Sequence, residues 1–151
     1  MARRAWKHMR LDFDTAKCNF SVEVVGESTG VMEIVVSGVD GRPLTSDELY
    51  IGRTIDVLGK KTTLLRADAA TVQWIDAETA RLFRILGRDL KTLSLFCSPL
   101  DMTPMLGRIE TVRRNWEATR KIEPKASVDL SRLKKAVDVV KERLNQFRPL
   151  R

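Results

Sequence analysis

The apolar residues of this chain change period near Asp76, and that change restricts the fold more than any other feature. Upstream, in "RTIDVLG", Ile55 and Val57 fall on one face while Thr54, Asp56 and Leu58 fall on the other. A period of two is that of a half-buried strand. Downstream, Ala77, Ala80, Phe83, Leu86 and Leu90 recur every three or four residues, the spacing of one helix face. Strands followed by helices make an α+β chain.

The first half reads as sheet throughout. Asn19 to Val25 ("NFSVEVV") and Val31 to Val36 ("VMEIVV") are rich in β-branched residues, and "GESTG" between them is a turn cluster, so the pair predicts a β-hairpin. "SGVDGRP" supplies a second turn region. After "RTIDVLG", a tight turn at Gly59 and Lys60 and a strand through "KTTLLRAD" complete a second pair.

The second half predicts helices. Asp76 fits an N-cap and Gly87 a C-terminal stop for a short first helix. Leu90 to Phe96 fits one more strand or a buried loop. Thr103 as N-cap with Pro104 behind it opens another helix, with Met105, Ile109, Val112 and Trp116 as its stripe. Glu123 to Ser127 reads as a linker. From about Asp129, Leu130, Leu133, Val137, Val140, Leu144 and Phe147 form a seam of alternating threes and fours. That seam suits packing on the chain's own domain or docking on a partner.

With 151 residues and 43% hydrophobic composition, there is enough apolar material for one core plus an appendage. The 27 Lys and Arg outnumber the 20 Asp and Glu, and the resulting +7 favours an acidic partner surface. Cys18 and Cys97 lie far apart and show no metal-ligand spacing, so a reduced compartment is expected. No apolar run approaches the length of a membrane span. The basic start "MARRAWKHMR" lacks the apolar core of a secretory signal, and Asp12 and Asp14, which follow at once, weigh against a short mitochondrial presequence.

Chemical motifs are scarce. A phosphate-binding loop needs Gly, four residues, then Gly-Lys-Ser/Thr. Here six residues separate Gly52 from Gly59, Lys61 intervenes before Thr62, and a strand rather than a helix is expected next. His8 is the single histidine, set in the basic start. Asp76 and Glu78 suit a helix start and Asp47 and Glu48 a loop, so no acid–base pair emerges. No catalytic, cofactor or metal site is expected, and hence no enzyme. Trp6, Trp74 and Trp116 are dispersed, and core packing fits them better than base stacking.

The segment Asp47 to Ile75, "DELYIGRTIDVLGKKTTLLRADAATVQWI", resembles the second half of a DM-ten domain. Leu49, Ile51, Gly52, Ile55, Val57, Gly59, Lys60, Leu64, Leu65, Asp68 and Thr71 stand at the positions of that family's motif. Gly30 to Val36 is similar to its early strand. Everything after Asp76 lies outside the resemblance. The resemblance implies a small antiparallel β-barrel-like module, similar to pleckstrin-homology folds, from ciliary proteins of which several bind the inner wall of doublet microtubules. It implies no catalytic residue.

The expected organisation is therefore a basic arm over 1–18, a DM-ten-like β domain with a short helix over 19–100, and a helical extension over 101–151. The expected function is a structural protein of the ciliary axoneme, in the cytoplasmic cytoskeleton. Its partners would be tubulin and neighbouring axonemal proteins, with no small-molecule substrate and no membrane. Arg3, Arg4, Lys7, Arg10, Arg113, Arg114, Lys134 and Lys135 are the expected contacts to acidic partners. A basic nucleic-acid-binding or ribosome-associated protein is the alternative. Attachment to anionic membrane follows only by analogy with the pleckstrin fold.

Overall fold

In the computed structural model, which describes residues 9–14, 16–17, 19–24, 30–98 and 103–147, sheet gives way to helix at Asp68 rather than Asp76. The Asp68 carboxylate accepts the Thr71 N–H at 2.9 Å, satisfying one of the orphan donors of a helix start. Asp68, expected at the end of the strand "KTTLLRAD", is thus a helix cap. Helix α1 runs over Ala69–Leu93, and the strand before it stops at Thr63.

The chain divides into two units, one of Met1–Ser46 with Thr54–Thr63, the other of Asp47–Arg53 with Leu64–Arg151. In the first unit, β1 (Met9–Asp14), β2 (Asn19–Val24) and β3 (Met32–Ile34) form an antiparallel sheet in that order. Residues 9–14, counted with the basic arm from sequence, form this edge strand because Met9, Leu11 and Phe13 alternate inward. Phe13 faces Phe20 across the ladder, with ring centroids 4.8 Å apart. The two strands expected to pair do so, with Phe20 opposite Ile34; Val25 and residues 26–29 of the expected turn lie outside the described residues. Val35 leaves that ladder, and Val36 enters another.

Strands β4 (Val36–Ser37), β5 (Thr54–Val57) and β6 (Lys60–Thr63) form the second antiparallel sheet. Ile55 and Val57 are buried and Thr54 is exposed, as the period of two requires. The turn is Leu58–Gly59, one residue earlier than expected. Both residues have positive φ, 54° and 79°, the geometry of a two-residue hairpin whose twist matches its strands. The Asp56 carboxylate accepts the Gly59 N–H at 2.8 Å. Among the described residues the two sheets do not close into a barrel, which corrects the barrel-like expectation; the α+β class stands.

The second unit contains α1, a short α2 (Thr103–Leu106), α3 (Arg108–Thr119) and α4 (Leu130–Asn145). The single helix expected from Thr103 is broken because Gly107 takes φ 52°. Asp129 caps α4 by accepting the Arg132 N–H. Leu130, Leu133, Val137, Val140 and Leu144 are buried with Ile75, Leu82, Phe83, Leu86 and Leu93 of α1. The seam therefore packs inward. At about 1.5–3 kcal/mol per buried aliphatic side chain, this burial dominates the unit's stability.

Helices α1 and α4 run parallel. Asp76 of α1 accepts the Ala126 N–H just before α4 at 2.8 Å, and Phe96 beyond α1 stacks on Phe147 beyond α4 at 5.5 Å. Asp76 is thus a mid-helix anchor. Leu90 to Phe96, open between strand and loop from sequence, is the end of α1 and the turn after it. Residues 47–53 lie against this unit as a strap: Ile51 N–H donates to Ala126 O at 2.8 Å. Lys134 reaches Asp47 at 2.7 Å, and Arg53 lies 3.6 Å from Asp129.

Two stability changes should follow. Replacing Leu58, which is 58% exposed, by Asn should raise stability by about 0.4–1 kcal/mol in urea unfolding, because Asn tolerates positive φ in this turn. Asp76→Ala should cost about 1–3 kcal/mol by leaving the Ala126 N–H without its acceptor, with Asp76→Asn losing clearly less.

Candidate partner-binding surface

The described cations of the helical unit fall into two groups, those held by carboxylates and those facing solvent. Arg113 belongs to the first group. It is 8% exposed on α3, where an unpaired charge would be costly, and Glu110 and Glu117 neutralise it. Nε donates to Glu110 Oε2 at 2.8 Å, Nη2 to Glu110 Oε1, and Nη1 to Glu117 Oε1 at 2.5 Å. The Glu110 hydrogen bonds, followed by weaker contributions from Glu117, hold the Arg113 pKa above the usual arginine value despite its burial. Arg114 donates to the same Glu110 at 3.2 Å.

Gly87 explains why this cluster fits against α1. A Cβ there would stand 2.7 Å from Glu117 Oε1 and 3.0 Å from Arg113 Nη1. A glycine inside a helix costs about 1 kcal/mol relative to alanine, and here it leaves room for an ion pair instead of ending the helix as expected. Next to it, Trp116 is 4% exposed against Phe83, at 5.7 Å between ring centroids. The Arg120 and Arg84 guanidiniums lie 4.5 and 5.8 Å from its ring centroid, within cation–π range. Arg120 also closes α3 in a left-handed conformation, its N–H donating to Trp116 O.

Arg113 and Arg114 are the expected contact residues that the structure brings together. Lys134 is bound to Asp47, and Arg10 on β1 donates to Asp12 at 3.0 Å. Lys135 is exposed on α4, as are Arg132, Lys141 and Arg143. Arg3, Arg4 and Lys7 lie outside the described residues, as do His8, Cys18 and Trp6. Trp74, assigned to core from sequence, is 45% exposed, because a helix starting at Ala69 turns it away from the Ile75 side. Sequence reasoning missed the Glu110–Arg113–Glu117 cluster, although its spacings of three and four were a legible signal for helical ion pairs.

This surface offers electrostatic and hydrogen-bonding contacts to carboxylates. Among the described residues no cluster of three or more His, Cys, Asp or Glu could hold a metal ion, and no helix is long and apolar enough to cross a membrane. The described residues define a mixed α+β protein with a cation-bearing helical unit. Comparison with protein-family models, curated proteins and solved structures finds no match.

One ion pair here makes pH the informative variable. Arg81 donates two hydrogen bonds to Glu78, at 3.0 and 2.9 Å, and these hold the Glu78 carboxyl below its ordinary pKa. A depressed folded-state pKa contributes stability above the unfolded value and loses it as pH falls through the folded one. In thermal melts, the advantage of wild type over Glu78→Gln should therefore be present at neutral pH and vanish as pH falls through the carboxylate range.

Proposed function

We propose that this chain is a non-enzymatic structural protein that attaches to the acidic lattice of ciliary doublet microtubules, on their luminal side, and stabilises it. The observation that supports the reading is the backbone of the segment that resembles the DM-ten motif. Gly52 and Gly59 both take positive φ, 98° and 79°, and Ile55 and Val57 between them are buried. These glycines make turns in a β-hairpin segment, the role that the resemblance implies, and a phosphate-cradling loop is not what this backbone builds. On this reading Ile55, Val57, Gly59 and Lys60 are the part of the motif that the first unit carries, while Leu64, Leu65, Asp68 and Thr71 fall in the second unit.

The net charge of +7 supplies attraction to an acidic lattice. Within the helical unit, Arg132, Lys135 and Lys141 are better placed for such contacts than Arg113 or Lys134, whose partners lie within the chain. The protein should remain with isolated ciliary doublets after detergent extraction and co-sediment with microtubules in low salt. A charge reversal of Arg132, Lys135 and Lys141 to Glu should release it. Unchanged sedimentation of that variant would contradict electrostatic attachment through α4.

The nucleic-acid alternative gains from the exposure of Trp74, since an exposed ring is what base stacking requires. It predicts steeply salt-dependent RNA or DNA binding, lost with Trp74→Ala. Absence of such binding, together with microtubule sedimentation, would decide between the two.

A further inference from the structure

The cleft between α1 and α3, of about 310 Å³, holds more cationic capacity than its own residues use. A guanidinium carries five N–H donors, and the three hydrogen bonds made by Arg113 go to Glu110 and Glu117. Those two carboxylates are not equivalent. The Glu110 side chain is 12% exposed, takes two of the three bonds, and also accepts from Arg114. The Glu117 side chain is 47% exposed and takes one. Glu117 is the replaceable ligand.

Gly87 makes the replacement sterically open. A Cβ there would stand 2.7 Å from Glu117 Oε1 and 3.0 Å from Arg113 Nη1, so it is the bare backbone that lets a carboxylate, at present that of Glu117, sit against the guanidinium. Lys91 and Arg114 line the same cleft and are exposed. With Glu117 in place, three cations face two carboxylates. With Glu117 swung out to solvent they face one, and the cleft becomes a receptor for anions.

We propose that this cleft receives a carboxylate side chain of an acidic partner polypeptide, which displaces Glu117 from Arg113 while Lys91 and Arg114 take neighbouring carboxylates. Glu117 is then a built-in competitor. The inference rests on the reading of the chain as a binder of acidic protein surfaces, and it adds the site and the residue that holds it closed. Planar pairing with a largely desolvated arginine is what gives a carboxylate preference over diffuse counter-ion binding.

The test is calorimetric titration of the full chain with a hepta-glutamate peptide at low salt, with hepta-glutamine as the uncharged control. Removing the competitor with Glu117→Gln should tighten hepta-glutamate binding about tenfold, the effect of one charge-assisted bond no longer contested. Gly87→Ala, which fills the position, should weaken it. Glu142→Gln removes an equally formal charge from an exposed carboxylate outside the cleft and controls for net charge. Equal tightening by Glu117→Gln and Glu142→Gln, or none by Glu117→Gln, would overturn the proposal. Failure of the microtubule reading shows separately, as a wild-type chain that does not sediment with microtubules.

Discussion

The helical unit depends on the peptide groups around Ala126. This residue is fully buried and held at φ 54°, a left-handed conformation that costs an alanine about 1–2 kcal/mol. Two hydrogen bonds of about 1 kcal/mol each offset that cost. Asp76 takes the N–H from the α1 side, and Ile51 donates to the carbonyl from the strap side. Fixing this one residue fixes three things: where the loop after α3 crosses α1, where α4 begins four residues later, and how residues 47–53 lie. The α1–α4 seam then closes with its apolar residues in register.

Much of this was legible in the sequence where burial has a simple period. The seam from Leu130 to Leu144 and the Ile55–Val57 face needed no tertiary information. The start of α1 was harder, because Thr62 to Leu65 suits a pleated surface and drew the strand onward past Thr63. The Asp68 cap was nonetheless visible as a local signal. The ion pairs of Arg113 along α3 were legible by their spacing, but its juxtaposition with Gly87 was not. Each has its environment set by the other across two helices, and neither propensity nor period carries that pairing. Trp74 was misassigned only because the helix origin was.

Net charge describes the chain less well than the disposition of its cations. Arg53, Arg81, Arg113, Arg114 and Lys134 each have an acidic partner within the helical unit. Charge read from composition therefore overstates what any one of these residues offers a partner. The cations that remain at the surface of α4 are exposed, and their field is sensitive to salt in a way that the buried Arg113 cluster is not.

The chain crosses between its two units three times, after Ser46, after Arg53 and after Thr63. Neither unit is therefore a contiguous gene segment, and no single cut yields either one whole. Such a molecule resists modular inheritance: an exon boundary, a fusion joint or a protease nick between 47 and 63 divides both units at once. What looks from its motif like a detachable module is built to be kept or lost as a single piece.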